Sequence, residues 1–192
     1  MIFIVVFMDK RIIDFVINKH TKEDVKYHIK IVVKNALKLA DIYHADKEVV
    51  EIASWLHDIA RAKELKPGKD NNHHIVGAKK AEEILKDLGY KEDKIKKIVS
   101  CILTHRGSKE NYIPKTIEEK IVYNADAMAH FDTFLNLFSE FVSPENFEEG
   151  VKLIKEKINR DWDKKLNLRE SKKLVNDKYK AIKLLFKSLE EK

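Results

Sequence analysis

Glycine and proline are scarce in this chain, with five and three in 192 residues, and this scarcity most limits the folds open to it. Both residues mark turns and the ends of strands, and clean alternation of apolar and polar residues is absent beyond the first few positions. Apolar residues instead recur at spacings of three and four, which is the period of an amphipathic helix. The sequence therefore predicts an all-α fold, a single-domain helical bundle.

Three regions are predicted within this one domain. They are an N-terminal segment with a short helix over residues 1–20, a core over 21–135, and C-terminal helices that pack on the core over 136–192. The predicted helices cover about residues 9–18, 21–43, 46–60, 73–88, 92–105, 116–129, a segment near 144, and 169–189. Thr21 and Thr116 each precede an acidic residue by three positions, a spacing typical of a capping box.

Charged residues make up 36% of the chain, and the formal net charge is +6. The basic residues are scattered and many have acidic neighbours at helical spacing, which is typical of a solvated helix face. The mild positive excess suits a phosphorylated substrate. No stripe of basic and aromatic residues is present, so a nucleic-acid partner is less expected.

The apolar opening, MIFIVVF, is too short for a transmembrane helix and lacks the features of a signal peptide. It could be a short strand, an anchor on the core, or an addition before a true start at Met8. Cys101 is the only cysteine, so no disulfide can form within the chain, and a small buried apolar role is expected. These features predict a cytoplasmic protein without a membrane partner.

The stretch SWLHDIAR places a histidine and an aspartate inside an apolar helical run. His57, like His28 and Asp126, has apolar residues three and four positions away, so three helices each direct one metal-capable group inward. No Arg or Lys shares the stripe of Asp58 or Asp126, and a buried carboxylate without a partner is costly. A divalent cation would neutralise both. Two imidazoles and two carboxylates suit Mn, Co, Fe, Ni or Zn, and Mg is possible.

These motifs occur in a definite order: His28, then LHD, HHIVGA, ILTHR and NADAMAHF. Together they resemble the HD-domain phosphohydrolase superfamily over about residues 21–130, and most closely its small single-domain hydrolases. The resemblance implies an HD-type helical bundle in which His28, His57, Asp58 and Asp126 bind the catalytic metal. Some of these hydrolases are thought to cleave nucleoside triphosphates at the α–β bond.

The resemblance also implies roles for further histidines. His73, or its neighbour His74, and His105 would either recruit a second metal or contact phosphate and act as general acid and base. One catalytic ion is the expectation, with a second possible through His73 and His105. The expected catalytic residues are therefore Asp58, His73 and His105. Members often carry Arg three residues after the first histidine, where this chain has Ile31.

Three residues are expected to bind substrate: Arg61, Arg106 and His74. A guanidinium can fork onto phosphate oxygens at the mouth of the site, although a surface ion pair is an equal alternative for either arginine. Lys66 and Lys69 lie in a polar loop that could close over a polyphosphate or could be a solvated linker.

The sequence thus predicts a metal-dependent phosphohydrolase that uses metal-activated water to cleave a phosphoester or phosphoanhydride of a nucleotide or another small phosphorylated substrate. One alternative is a metal-dependent nuclease. Another is a non-catalytic domain that binds a metal and a nucleotide. All three would use the same ligands, so the sequence leaves them open.

Overall fold

The structure, a computed structural model, describes residues 9–61, 72–107 and 112–190. Within these ranges the chain forms helices and turns without a strand, which confirms the predicted all-α fold. The MIFIVVF stretch and the loop lysines Lys66 and Lys69 lie outside the described residues. No helix in the described ranges combines the length and apolarity needed to cross a membrane.

The α-helices are α1 Lys10–Lys19, α2 Lys22–Asp24, α3 Lys30–Tyr43, α4 Lys47–Leu56, α5 His73–Asp87, α6 Glu92–Thr104, α7 Ile117–Asp132, α8 Phe134–Phe141, α9 Phe147–Arg160 and α10 Arg169–Glu190. Some of them are joined by the π-helical turns Val25–Ile29 and Asp161–Lys165 and by the 3₁₀ turn Pro144–Asn146. Most predicted bounds agree within about two residues. The helix predicted over 21–43 is interrupted by the first π turn.

Both predicted capping boxes are present. At the start of α7 the Thr116 hydroxyl accepts the Glu119 backbone N–H at 3.2 Å, and the Glu119 carboxylate accepts the Thr116 backbone N–H at 3.2 Å. The same carboxylate accepts a hydrogen bond from the Ser100 hydroxyl of α6 at 2.5 Å. The cap therefore also holds α6 against α7.

Helix α7 lies at the centre of the bundle, and every residue from Ile121 to Phe131 is buried. Helices α3, α4, α6 and α10 all pack against it, α3 also packs on α4, and α5 packs on α6. A helix surrounded in this way directs its few polar residues at other helices rather than at water. This arrangement carries Asp126 and His130 to the interior.

Asn124 of α7 fixes the start of α10. Its amide nitrogen donates to the Lys120 carbonyl at 2.8 Å and to the Asn167 side-chain oxygen at 2.7 Å. Its side-chain oxygen accepts from the Leu168 backbone N–H at 3.1 Å and from the Ser171 hydroxyl at 2.6 Å. The fully buried amide thus satisfies its hydrogen-bonding capacity by joining the C-terminal region to α7.

Gly150 lets α9 approach the chain that leaves α8. A Cβ atom at this position would lie 2.3 Å from the Phe141 carbonyl oxygen, a backbone atom that cannot rotate away. Helix α9 leads directly into the second π turn, so this close approach helps to place that turn beside α7.

We predict that Gly150→Ala destabilises the protein by about 1–3 kcal/mol, the usual cost of overpacking. The matched control is Glu149→Ala at the exposed neighbouring position. Without a clash, alanine would stabilise a helix by about 1 kcal/mol relative to glycine, so the two explanations predict opposite signs. Urea denaturation measures the difference, and a Gly150→Ala protein at least as stable as the wild type would contradict the prediction.

Candidate metal centre

His57 and Asp58 lie where α4 ends. The helix stops at Leu56, and residues 57–60 form tight turns, so the prediction of a helix through residue 60 is wrong. The His57 ring donates its Nδ1–H to the Ser54 carbonyl at 2.7 Å. In a continuing helix that carbonyl would accept the backbone N–H of Asp58. The side chain thus binds the carbonyl three residues earlier, and its Nε2 is left facing the interior.

The structure brings together the four residues predicted to bind the metal. His28 Nε2 lies 3.2 Å from His57 Nε2, 3.6 Å from Asp58 Oδ2 and 3.4 Å from Asp126 Oδ1. His57 Nε2 lies 3.6 Å from Asp58 Oδ2 and 4.0 Å from Asp126 Oδ1. We call these four residues the first group. His28 comes from the π turn Val25–Ile29, His57 and Asp58 come from the turn after α4, and Asp126 comes from α7.

A second group forms on the other oxygen of Asp58. His73 Nε2 lies 3.2 Å and His105 Nε2 3.6 Å from Asp58 Oδ1, and the two ring nitrogens are 3.3 Å apart. The Nδ1 of His105 contacts the Ile102 carbonyl at 2.6 Å, at the end of α6. A carbonyl can only accept, so Nδ1 carries the proton in His105, as it does in His57. In the neutral form of each ring, Nε2 then carries the lone pair on the side that faces Asp58.

The protonation states suit cation binding. Burial lowers the pKa of His57 to about 4, despite the nearby charge of Asp58, so this imidazole is neutral at pH 7. Burial alone would raise the pKa of Asp58 and of Asp126. The surrounding imidazoles of His57, His105, His28 and His73 together outweigh burial for Asp58. Lys165 and the neighbouring histidines together outweigh it for Asp126, so both pKa values lie well below the ordinary value.

These residues fit a divalent cation. The donor atoms of His28, His57 and Asp58 lie within 4.8 Å of one another, as do those of Asp58, His73 and His105. Ionised carboxylates and neutral imidazoles with Nδ1 held by a backbone carbonyl are the usual donors to transition-metal ions. The chemistry and spacing of both groups therefore match metal sites.

The sequence did not predict three charged or titratable residues at this centre, namely Lys165, His130 and Asp161. Lys165 Nζ lies 2.6 Å from Asp126 Oδ2, so Asp126 has a basic partner from 39 residues further along the chain. His130 Nε2 lies 4.0 Å from Asp126 Oδ1, and its Nδ1 bonds Asp161 Oδ2 at 2.8 Å. The i,i+4 spacing of Asp126 and His130 was the only local signal, and Lys165 and Asp161 had none.

The residues expected to bind substrate take different positions. Arg61 Nη1 lies 3.2 Å from Asp58 Oδ2, and its side chain remains half exposed at the rim. His74 is buried, with its ring against Tyr112 at 5.1 Å between centroids, and the second group contains His73 instead. Arg106 is partly buried beside His105.

Two other residues lie outside both groups. Asp132 bonds the side-chain amide of Asn35 at 2.7 Å and pairs with Lys178, so it does not compete with Asp126 for the first group. Cys101 is buried in the core, and burial raises the pKa of its thiol. A thiol with a raised pKa is a poor nucleophile at neutral pH.

A sequence model of the HD domain matches residues 25–130, which is more than half of the chain. The chain belongs to the HD-domain family. An HD-superfamily hydrolase from an uncultured Thermotogales bacterium is 25% identical, with a TM-score of 0.56 over 78% of this chain and 84% of that one. Bacillus subtilis YpgQ, solved in complex with ADP, is 16% identical, with a TM-score of 0.67 over 95% of this chain and 96% of YpgQ. The latter likeness concerns the fold alone.

Among curated proteins, a tRNA (cytidine(56)-2'-O)-methyltransferase of Picrophilus torridus is 36% identical over 122 residues, 57% of this chain. The match spans 33% of that protein's length. A protein of the same name from Thermoplasma volcanium matches over the same share of its own length. This chain thus spans about a third of these relatives.

We predict that the metal-free protein loses stability as the pH falls from about 6.5 to 4. His57 and His130 have pKa values of about 4 in the folded state, against 6.5 ordinarily, and burial is the main cause for both. In that window the unfolded chain binds protons that the folded chain does not, so acidification favours unfolding, by up to about 3 kcal/mol for each histidine. Urea denaturation after chelation at pH 7, 5.5 and 4.5 tests this, and equal stability at all three would contradict it.

Proposed function

We propose that this HD-domain protein is a metal-dependent phosphohydrolase that cleaves a nucleotide or another small phosphorylated substrate. One observation carries the proposal. Asp58 is a buried carboxylate whose Oδ2 faces His28 and His57 and whose Oδ1 faces His73 and His105. Such a carboxylate can join two cations in one centre, an arrangement used in phosphoryl hydrolysis.

The first group would hold one ion through His28, His57, Asp58 and Asp126. The second would hold another through Asp58, His73 and His105. The two groups together would then bind two ions, whereas the sequence led us to expect one ion with a second possible. Bound cations would acidify water and polarise phosphoryl oxygens. If the second group holds no ion, the ring nitrogens of His73 and His105 lie where they could exchange protons with a substrate.

The chain's own residues prepare the centre for an anionic substrate. Lys165 donates to Asp126 Oδ2, which orients the carboxylate so that Oδ1 faces His28. Arg61 binds Asp58 through one nitrogen, and its half-exposed guanidinium retains donors for a phosphate oxygen. Substrate contacts are also proposed for Arg106.

A nucleotide is the preferred substrate class for two reasons. The net charge of +6 favours an anionic ligand. YpgQ, which shares the fold, was solved with ADP. The methyltransferase name belongs to relatives of which this chain spans about a third, so it supplies no assignment for this centre.

We predict that Mn²⁺ or Co²⁺ supports phosphate or pyrophosphate release from nucleoside triphosphates, diphosphates or p-nitrophenyl phosphate. Asp58→Asn should lower kcat/KM at least about 100-fold, because the bound cation contributes several kcal/mol to catalysis. Asp87→Asn, at an exposed position of α5, is the matched control and should leave the rate unchanged. Phosphate release measured with and without chelator tests both statements.

The results also separate the alternatives. An unchanged rate in Asp58→Asn would refute the proposal. Nucleotide binding without product under any metal would support the non-catalytic alternative. Cleavage of oligonucleotides in preference to mononucleotides, with binding that weakens as salt increases, would support the nuclease.

The second group predicts a metal stoichiometry. After loading with Mn²⁺ and removal of free ion, the wild type should retain two ions per chain and His105→Ala one. His44→Asn is the control, because His44 caps α3 in the left-handed region, which asparagine tolerates. Elemental analysis gives the count. If the wild type retains a single ion, the second group does not bind a metal, and the proposal for the first group still stands.

A further inference from the structure

His130 faces the first group from α7. Its Nε2 lies 4.0 Å from Asp126 Oδ1, one helical turn away, and its ring stacks on His28 with centroids 5.6 Å apart and planes 12° apart. Donor atoms of His28, Asp126 and His130 lie within 4.8 Å of one another. His130 therefore lies close to two of the proposed metal ligands, His28 and Asp126.

The hydrogen bond behind the ring determines what His130 can offer. Its Nδ1 lies 2.8 Å from Asp161 Oδ2, and the carboxylate can only accept, so the proton is on Nδ1. Nε2 of the neutral ring then carries a lone pair directed at the first group. A carboxylate behind an imidazole is a common arrangement at metal centres, where it orients the ring and increases its basicity.

Asp161 is buried behind the His130 ring and held there by basic neighbours. It is 1% exposed, and Lys157 Nζ and Arg160 Nε lie 3.6 and 3.9 Å from its oxygens. It belongs to the π turn that also supplies Lys165 to Asp126. This turn follows the residues matched by the HD-domain model. If the pair of His130 and Asp161 served only to stabilise the fold, Nε2 of His130 would not need to face other side chains that can bind a metal.

We propose that His130 is an additional ligand of the ion in the first group and that Asp161 is its positioning residue. The segment after the family match would then complete the metal centre. The inference rests on the proposed metal site but not on the hydrolytic activity.

The test compares Asp161→Asn with Asp163→Asn, which makes the same chemical change at an exposed position of the same π turn. Mn²⁺ affinity is measured by titration calorimetry on the whole protein. Asp161→Asn should bind the first-group ion about 10–100-fold more weakly, the usual effect of losing a ligand's orienting partner. Asp163→Asn should bind as the wild type does, and so should Lys164→Met, a control for charge loss in this turn.

A spectroscopic measurement covers the case in which Asp161→Asn folds poorly. Imidazole N–H protons of histidines bound to Co²⁺ give strongly shifted, exchangeable NMR signals. His130→Gln should lose one of the signals that the wild type shows and keep the others. Circular dichroism and thermal unfolding establish that each variant is folded.

The outcomes separate this inference from the proposed function. If the wild type binds neither Mn²⁺ nor Co²⁺, the proposed metal site itself fails. If it binds and turns over substrate, while His130→Gln retains every shifted signal and both variants bind Mn²⁺ within about twofold of wild type, only the role of His130 and Asp161 is refuted.

Discussion

The burial of the Asp58 carboxylate is the physical constraint on which the arrangement of this centre depends. A carboxylate removed from water is costly unless donors or cations surround it. Arg61 pairs with one oxygen of Asp58. A cation held between the carboxylate and the facing rings, His28 and His57 at one oxygen and His73 and His105 at the other, would meet the rest of this requirement. These histidines come from four places in the chain, so they surround Asp58 only when the π turn Val25–Ile29, the turn after α4, α5 and the end of α6 pack together.

A common device directs the imidazoles. In His57 and His105 the Nδ1 is held by the carbonyl three residues earlier, where a helix ends. In His130 the same nitrogen is held by Asp161. Each ring is thereby fixed in one tautomer with Nε2 facing inward, before any ligand binds. The helix ends are therefore part of the centre, because they provide carbonyls that a continuous helix would have used internally.

The sequence was informative wherever the cause of structure is local. Apolar spacing placed most helices, the capping box at Thr116 placed the start of α7, and helical phase predicted that Asp126 faces the interior. It failed where the partner is distant or where a side chain overrides the backbone. The partner of Asp126, Lys165, lies in another helical turn with no shared periodicity. The end of α4 depends on a hydrogen bond of the His57 ring that apolar patterning does not encode.

The two π turns explain why a regular helical period is an incomplete guide to this centre. One contains His28, and the other contains Asp161 and Lys165. A π turn holds an extra residue, so it changes the direction of the side chains that follow relative to an α-helix, at some cost in backbone stability. Both turns direct charged or metal-capable groups at Asp126 and its neighbours. The irregular backbone thus occurs where several helices must present side chains to one point, which regular helices at these positions would direct elsewhere.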